Sequence, residues 1–160
     1  MPESKFTPAQ AEELASAFAA EEVDYLFIGK SGAILLGYPD TTQDVDIFLP
    51  KSQKNADRVL RALRKLGFEL DPTLVVSILT GSEIVLMKSG PFALDLIHSP
   101  DGIESFEAAR SRRVIEGGRF PVASLGDIIA SKRATGRVKD IADIRRLEQF
   151  RDEYARRGQQ

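Results

Sequence analysis

Apolar positions in the first half of the chain switch between two spacings. Two segments repeat apolar residues every three or four positions and begin at a hydroxyl side chain, which predicts amphipathic helices. Two shorter apolar runs end at Gly29 and Pro50 and are too brief for buried helices, so we expect strands there. A run of small and aliphatic residues predicts a short helix under the first strand. In chain order, the predicted elements are helix 7–22, strand 24–28, helix 31–37, strand 45–49 and helix 52–67.

The second half of the chain predicts a hairpin followed by helices. Segments 83–88 and 92–97 are apolar and are separated by Ser-Gly-Pro, which is typical of a β-hairpin. Segment 73–80 is short and rich in β-branched residues, and its periodicity leaves helix and strand both open. The remaining predicted elements are a turn with a short strand over 117–123 and helices over 124–135 and 138–154.

This order of elements predicts an α+β fold, in which a mixed β-sheet is flanked by helices and followed by a helical C-terminal extension. No linker, repeat or low-complexity tract divides the 160 residues. We therefore expect one domain over 1–160, with an α/β core at 1–122 and the C-terminal helices at 123–157.

Composition narrows the chemistry that the chain can perform. With 42% apolar and 29% charged residues, it can bury a core. It has no cysteine and a single histidine, His98, so any metal has to be bound by carboxylates. The acidic, polar N-terminus lacks the features of a signal peptide, and no apolar run approaches ~18 residues. We therefore expect a cytoplasmic protein with no membrane partner.

Charge is distributed unevenly along the chain. Residues 1–109 carry 9 Lys and Arg against 17 Asp and Glu, whereas residues 110–160 carry 13 against 7. This division suits a site that holds a metal on one side and receives a polyanion on the other, although solvated helix faces explain it equally well. A nucleic-acid acceptor would require a basic flank beside the metal, formed by Arg112, Arg113, Arg119, Arg137, Arg145 and Arg146.

The tripeptide Gly29-Lys30-Ser31 follows a predicted strand, as the end of a P-loop does. The P-loop spacing requires a second glycine where this chain has Asp24, so no loop is available to wrap a phosphate. The sequence therefore does not support a P-loop.

Paired carboxylates are the stronger chemical signal. Asp44 and Asp46 alternate along a predicted strand, so both side chains point to the same side and can bind one hard cation such as Mg²⁺. Asp95 is the only charge in the apolar run 92–97 and could complete a three-carboxylate cluster. Three close carboxylates repel one another unless a divalent metal neutralises them. A pair of this kind also arises by chance on solvated strands, and that interpretation stays open.

The stretch YLFIGKSGAILLGYPDTTQDVDIFLP resembles the signature of the DNA polymerase β-like nucleotidyltransferase superfamily. In that superfamily the nucleotide and metal site is formed by three consecutive elements: a strand, a small-residue turn with a helix, and a T-x-D-x-D strand. In this sequence residues 42–46 match the T-x-D-x-D strand. The segment SLGDIIASKRATGRVKDIADIRRLE is similar to the C-terminal motif of small bacterial members, which include abortive-infection and toxin-type enzymes. The resemblance covers roughly residues 24–150.

The resemblance implies a role for each motif. Asp44, Asp46 and Asp95 would be the catalytic residues and the ligands of Mg²⁺ or Mn²⁺, with Asp95 helping to activate the acceptor hydroxyl. The nucleotide-binding residues would be Gly29, Lys30, Ser31 and Lys132. Two positions depart from the family: Lys30 follows Gly29 directly, and Asp40 stands where an arginine is common.

By this resemblance, the expected activity is transfer of an NMP from an NTP to a hydroxyl of RNA (tRNA), protein or a small molecule. A toxin-type or defence role, with an antitoxin partner, follows from the same resemblance. The alternative is a catalytically weakened binding or regulatory module of the same fold. A D-x-D glycosyltransferase would require a much longer chain.

Several charged residues also have simpler interpretations. Lys132 could be an exposed helix charge, and a solvated pair of Lys139 with Asp143 would explain the acidic residues Asp140 and Asp143. We expect His98 to be a structural hydrogen-bonding residue rather than a catalyst.

Overall fold

A computed structural model describes residues 5–158 as seven α-helices and six β-strands; the ends of the predicted domain, residues 1–4 and 159–160, lie outside this range. In chain order the elements are α1 (Pro8–Ala20), β1 (Leu26–Ile28), α2 (Gly29–Leu35), β2 (Asp44–Phe48), α3 (Gln53–Lys65), α4 (Pro72–Thr80), β3 (Ile84–Met87), β4 (Ala93–Ile97), α5 (Phe106–Ser111), β5 (Val114–Glu116), β6 (Phe120–Val122), α6 (Leu125–Ala134) and α7 (Ile141–Gly158).

Local capping explains why the helices begin and end where they do. Thr7 accepts a hydrogen bond from the Gln10 amide and forms a capping box at the start of α1. Segment 73–80, which periodicity left open, is helix α4. Asp71 caps its first turn, Pro72 is its first residue, and Gly81 ends it with a positive φ of 71°. These end signals decide in favour of the helix.

The six strands form one mixed sheet in the order β3-β4-β2-β1-β6-β5. The predicted hairpin is the antiparallel pair β3 and β4, and β2 lies parallel to β4. On its other edge β2 pairs antiparallel with β1. Helix α5 and strand β5 were not predicted from the sequence. Strand β5 pairs with β6 across a turn that contains Gly117 and Gly118.

Alternating residues along β2 and β4 give the sheet one apolar face and one face that carries carboxylates. Val45 and Ile47 of β2 are completely buried, as are Leu94 and Leu96 of β4. They belong to one core cluster with apolar residues of α1 and α3. The intervening residues Asp44, Asp46 and Asp95 therefore share the opposite face of the sheet.

The C-terminal helices pack on the element that follows β1. α6 contacts α2, and α7 contacts α6, with Leu147 and Phe150 of α7 buried. The last predicted helix starts later than expected, because residues 138–140 form a 3-10 turn. Ile141, the first residue of α7, is 46% exposed. Within residues 5–158, no helix is both long and apolar enough for a membrane crossing.

Candidate active site

The turn between β1 and α2 lies directly against β2. Gly29 has a positive φ of 66°, and a side chain at this position would collide with the Asp46 carboxylate. Ser31 is buried; its hydroxyl donates to the Ile28 carbonyl at 2.9 Å and accepts from the Asp46 amide at 3.0 Å. The Ser31 hydroxyl therefore holds the turn against β2 through these two hydrogen bonds.

Asp44, Asp46 and Asp95, called the carboxylate cluster below, are brought together by the parallel pairing of β2 with β4. Asp46 and Asp95 are direct partners in the register, and Asp44 lies two residues earlier on the same face. The Asp44 side chain is 41% exposed and that of Asp95 is 13% exposed. The cluster therefore combines an exposed carboxylate with more deeply placed ones.

Asp46 is the most strongly perturbed of the three carboxyl groups. Burial raises the pKa of Asp46 to about 8, and the charge of Asp95, a hydrogen bond with Asp95 and the charge of Asp44 act in the same direction. This raised pKa favours the protonated form of Asp46 at neutral pH in the metal-free protein.

Lys88 contacts the cluster and was not predicted from the sequence. Its Nζ lies 3.0 Å from Asp44 Oδ2 and 3.0 Å from Asp95 Oδ1. Burial lowers the pKa of Lys88, but hydrogen bonds to Asp44 and Asp95 outweigh this and leave the pKa raised. The available signal was its place at the end of the predicted strand 83–88, opposite the strand that carries Asp95.

The carboxylate cluster is the candidate site for a divalent cation. In the described part of the chain, no three His, Asp or Glu side chains stand in a ready metal-ligand arrangement. Lys88 holds Asp44 and Asp95 through its ammonium instead. The cluster nevertheless offers carboxylate oxygens, the ligands that Mg²⁺ and Mn²⁺ prefer, and already holds a cationic group between two of them. A divalent cation at this face would have to take its ligands from Asp44, Asp46 and Asp95 after they move from the arrangement described here.

A cavity of about 180 Å³ opens beside Asp46. One wall comes from the β1–α2 turn, another is apolar, and the third carries polar and basic side chains of α6 and the turn after it. Its lining residues are Ile28, Gly29, Lys30, Asp46, Ile97, Pro100, Ile128, Ser131, Lys132, Thr135 and Arg137. Of the three carboxylates, only Asp46 lines this cavity, together with the cationic side chains of Lys30, Lys132 and Arg137.

The two lysines of this cavity are paired through Asp143. Lys132 Nζ lies 2.7 Å from Asp143 Oδ2, and Lys30 Nζ lies 3.8 Å from the same oxygen. Tyr38 donates to Asp143 at 2.6 Å, and Lys30 also pairs with Asp40 at 3.2 Å. Burial opposes ionisation of Asp143, but hydrogen bonds from Lys132 and Tyr38 and the nearby lysine charges lower its pKa.

These contacts correct the simpler interpretation of Lys132 and of the acidic residues in the C-terminal segment. Lys132 is only 19% exposed, so it is not a solvated helix charge. Asp140 is buried and pairs with Arg137 at 2.8 Å, and Asp143 pairs with Lys132 rather than Lys139. Asp143 of α7 therefore faces Lys132 of α6, a contact between two helices that spacing along one helix could not indicate.

His98 and the basic C-terminal part complete the set of predicted residues. His98 is buried, with Nδ1 2.7 Å from the Ser82 carbonyl oxygen, and burial lowers its pKa. This is a structural hydrogen bond, as expected. Four of the six arginines expected to flank the cleft are paired with carboxylates: Arg112, Arg119, Arg137 and Arg146. Of the six, only Arg137 lines the cavity beside Asp46.

Comparison with solved structures identifies the fold. No protein-family model matches the chain, and no curated protein matches it significantly. The chain is similar to the crystal structure of a putative nucleotidyltransferase from Thermotoga maritima, with a TM-score of 0.54 and 16% sequence identity over 88% of this chain and 91% of that one. At this identity the likeness shows only that the two proteins share a fold, and the mixed six-stranded sheet, flanked by helices and followed by a C-terminal helix, is the architecture that the sequence predicted. The predicted fold class is confirmed.

Proposed function

We propose that the chain is a metal-dependent nucleotidyltransferase, which moves an NMP from an NTP to a hydroxyl group. The observation that carries this proposal is the position of the carboxylate cluster. Asp46 and Asp95 lie side by side on the open face of β2 and β4, directly against the turn at Gly29. The adjoining cavity contains both Lys30 and Lys132.

Each part of the site then has a task in the reaction. Asp44, Asp46 and Asp95 would hold Mg²⁺ or Mn²⁺, which neutralises charge on the phosphates when bound. Lys30, Lys132 and the backbone at Gly29 and Ser31 would bind the triphosphate. Asp95 would take the proton of the acceptor hydroxyl.

The bond changes balance around the α-phosphorus. The acceptor oxygen forms a new bond to this atom, the bond to the bridging oxygen of the β-phosphate breaks, and pyrophosphate leaves with that electron pair. The proton released by the hydroxyl goes to a carboxylate oxygen of Asp95.

The acceptor in this proposal is a hydroxyl of RNA, protein or a small molecule. The pairing of Arg112, Arg119 and Arg146 with carboxylates weakens the case for RNA, because phosphate contacts need Lys and Arg side chains lining a path to the reacting hydroxyl. A protein or small-molecule hydroxyl is therefore favoured. A toxin-type or defence role with an antitoxin partner, and action in the cytoplasm, belong to the same proposal.

The second candidate function is a binding or regulatory module with weakened triphosphate grip. The pairing of Lys30 with Asp40 and of Lys132 with Asp143 favours it, since both cationic groups are already neutralised within the protein. A nucleotide has to compete with these carboxylates. The two candidates differ in whether NMP transfer takes place.

Incubation with each of the four α-labelled NTPs separates these candidates. The protein is combined with Mg²⁺ or Mn²⁺ and with total RNA or cell lysate, and label in macromolecules and small products is followed. We expect transfer that Asp46→Asn and Asp95→Asn abolish. Asp57→Asn, a change of the same kind at an exposed position of α3, should retain it. NTP binding without transfer by any of the four nucleotides would contradict the enzyme and favour the module.

A further inference from the structure

The sheet register explains how one lysine reaches two carboxylates. β3 and β4 pair antiparallel with Met87 opposite Leu94, so the next residue, Lys88, stands beside Ala93. On its other edge, Ala93 pairs with Asp44 of β2. Lys88, Ala93 and Asp44 therefore form one row across three adjacent segments. Because the alanine side chain is short, the lysine can extend over it.

The Lys88 ammonium ends between the outer and inner parts of the carboxylate cluster. Nζ lies 3.0 Å from an oxygen of Asp44 and 3.0 Å from an oxygen of Asp95. Both distances lie within the range of N–H···O hydrogen bonds and of salt bridges. The ammonium thus stands where any cation that bridges these two carboxylates has to bind.

We propose that Lys88 is an internal counter-ion that a divalent metal must displace before it can bridge Asp44 and Asp95, so that this lysine sets the metal affinity of the cluster. The inference rests on the proposed function, since it takes Mg²⁺ or Mn²⁺ as the ion bound there. It concerns a residue outside the three proposed ligands.

The surroundings of Lys88 allow its side chain to leave. The side chain is 51% exposed, whereas that of Asp95 is 13% exposed. A surface hollow of about 520 Å³ adjoins it, lined in part by Gln43, Gly90 and Pro91. A half-exposed lysine beside open space can rotate away while the strands stay paired, so displacement requires no unfolding.

Competition of this kind lowers the apparent affinity for free metal. The cluster can bridge a metal only in the fraction of molecules whose ammonium has moved away. Removing the ammonium should therefore tighten metal binding. For two half-exposed ion contacts we expect a change of about tenfold, which corresponds to about 1.4 kcal/mol.

Mn²⁺ binding to the metal-free full chain tests this without any activity measurement, with free Mn²⁺ counted from its electron paramagnetic resonance signal. Lys88→Met keeps the length of the side chain and removes its charge, and Lys88→Gln provides a second neutral variant. Lys54→Met is the matched control, because Lys54 is exposed on α3. Circular dichroism checks that each variant is folded.

We expect both Lys88 variants to bind Mn²⁺ about tenfold more tightly than the wild type, and Lys54→Met to match the wild type. Adding Asp44→Asn to Lys88→Met should remove the gain. The role of Lys88 would be overturned if both Lys88 variants bound Mn²⁺ as the wild type does or more weakly. If Asp44→Asn alone also weakened Mn²⁺ binding, the proposed metal site would remain intact. No Mn²⁺ binding in any variant, with or without NTP, would overturn both proposals.

Discussion

Replacing Asp46 with asparagine should stabilise the metal-free protein, and the gain should grow with pH. Burial, followed by the charge of Asp95, raises the pKa of Asp46 from 3.8 to about 8 in the folded protein. In the unfolded chain the carboxyl returns to its ordinary pKa. Between these values the folded state binds the proton and the unfolded state does not. The Asp46 contribution to stability is therefore lost progressively as pH rises through this window.

The size of the effect follows from a single linked proton. Each pH unit inside the window changes the free energy of unfolding by about 1.4 kcal/mol, so the roughly four units between the two pKa values give an upper limit of about 6 kcal/mol. Asparagine has nearly the shape of a protonated aspartic acid and can donate to Asp95 as neutral Asp46 does, but it does not titrate. The stability difference between Asp46→Asn and the wild type should therefore be small near pH 4 and reach a few kcal/mol near pH 8.

Urea unfolding in a chelating buffer, repeated across this pH range, measures the difference directly. Asp57→Asn serves as the control, since Asp57 is exposed on α3, and its difference from the wild type should not change with pH in this window. A constant stability difference between Asp46→Asn and the wild type would mean that Asp46 is ionised in the folded protein, and it would refute the reasoning.

Three further substitutions test how the site is built, each followed by urea unfolding. Gly29→Ala should cost about 2 kcal/mol or more, because the positive φ is strained for alanine and the new methyl group meets the Asp46 carboxylate; a neutral result would contradict the close approach. Ser31→Ala should cost about 1–3 kcal/mol, since it leaves the Asp46 amide without its acceptor, whereas Ser31→Thr retains the hydroxyl and should cost less if the methyl group fits. Asp143→Asn should cost about 1–2 kcal/mol by removing the charge that pairs with Lys132, and no change in stability would show that this pair is not stabilising.

The sequence predicts most of the central sheet because its signals are local. Val45 and Ile47 alternate with Asp44 and Asp46 within the sequence of one strand, so the shared face of the two carboxylates can be inferred from that strand alone. The hairpin of β3 and β4 is likewise marked by its Ser-Gly-Pro connection. Segment 73–80 is different, because its periodicity is ambiguous and only the flanking Asp71, Pro72 and Gly81 decide it.

Contacts between distant segments could not be derived in the same way. Lys88 reaches Asp44 because β4 lies between β3 and β2. This order of strands cannot be inferred from the sequence of any one strand. Lys132 of α6 meets Asp143 because α7 packs against α6, a contact that spacing within either helix does not show. Spacing along a regular helix instead pairs Asp143 with Lys139, which explains why the solvated-pair interpretation failed.

Anomalous diffraction from crystals grown with Mn²⁺ and a non-hydrolysable NTP analogue would test the central claim most directly. We expect an anomalous peak at about 2.0–2.5 Å from oxygens of the carboxylate cluster. We also expect phosphates in the cavity beside Asp46 and the Lys88 ammonium moved away from Asp44 and Asp95. Two results would contradict the proposed site. The first is a nucleotide bound elsewhere on the protein, and the second is a bound nucleotide with no metal at the cluster and Lys88 still bridging the two carboxylates.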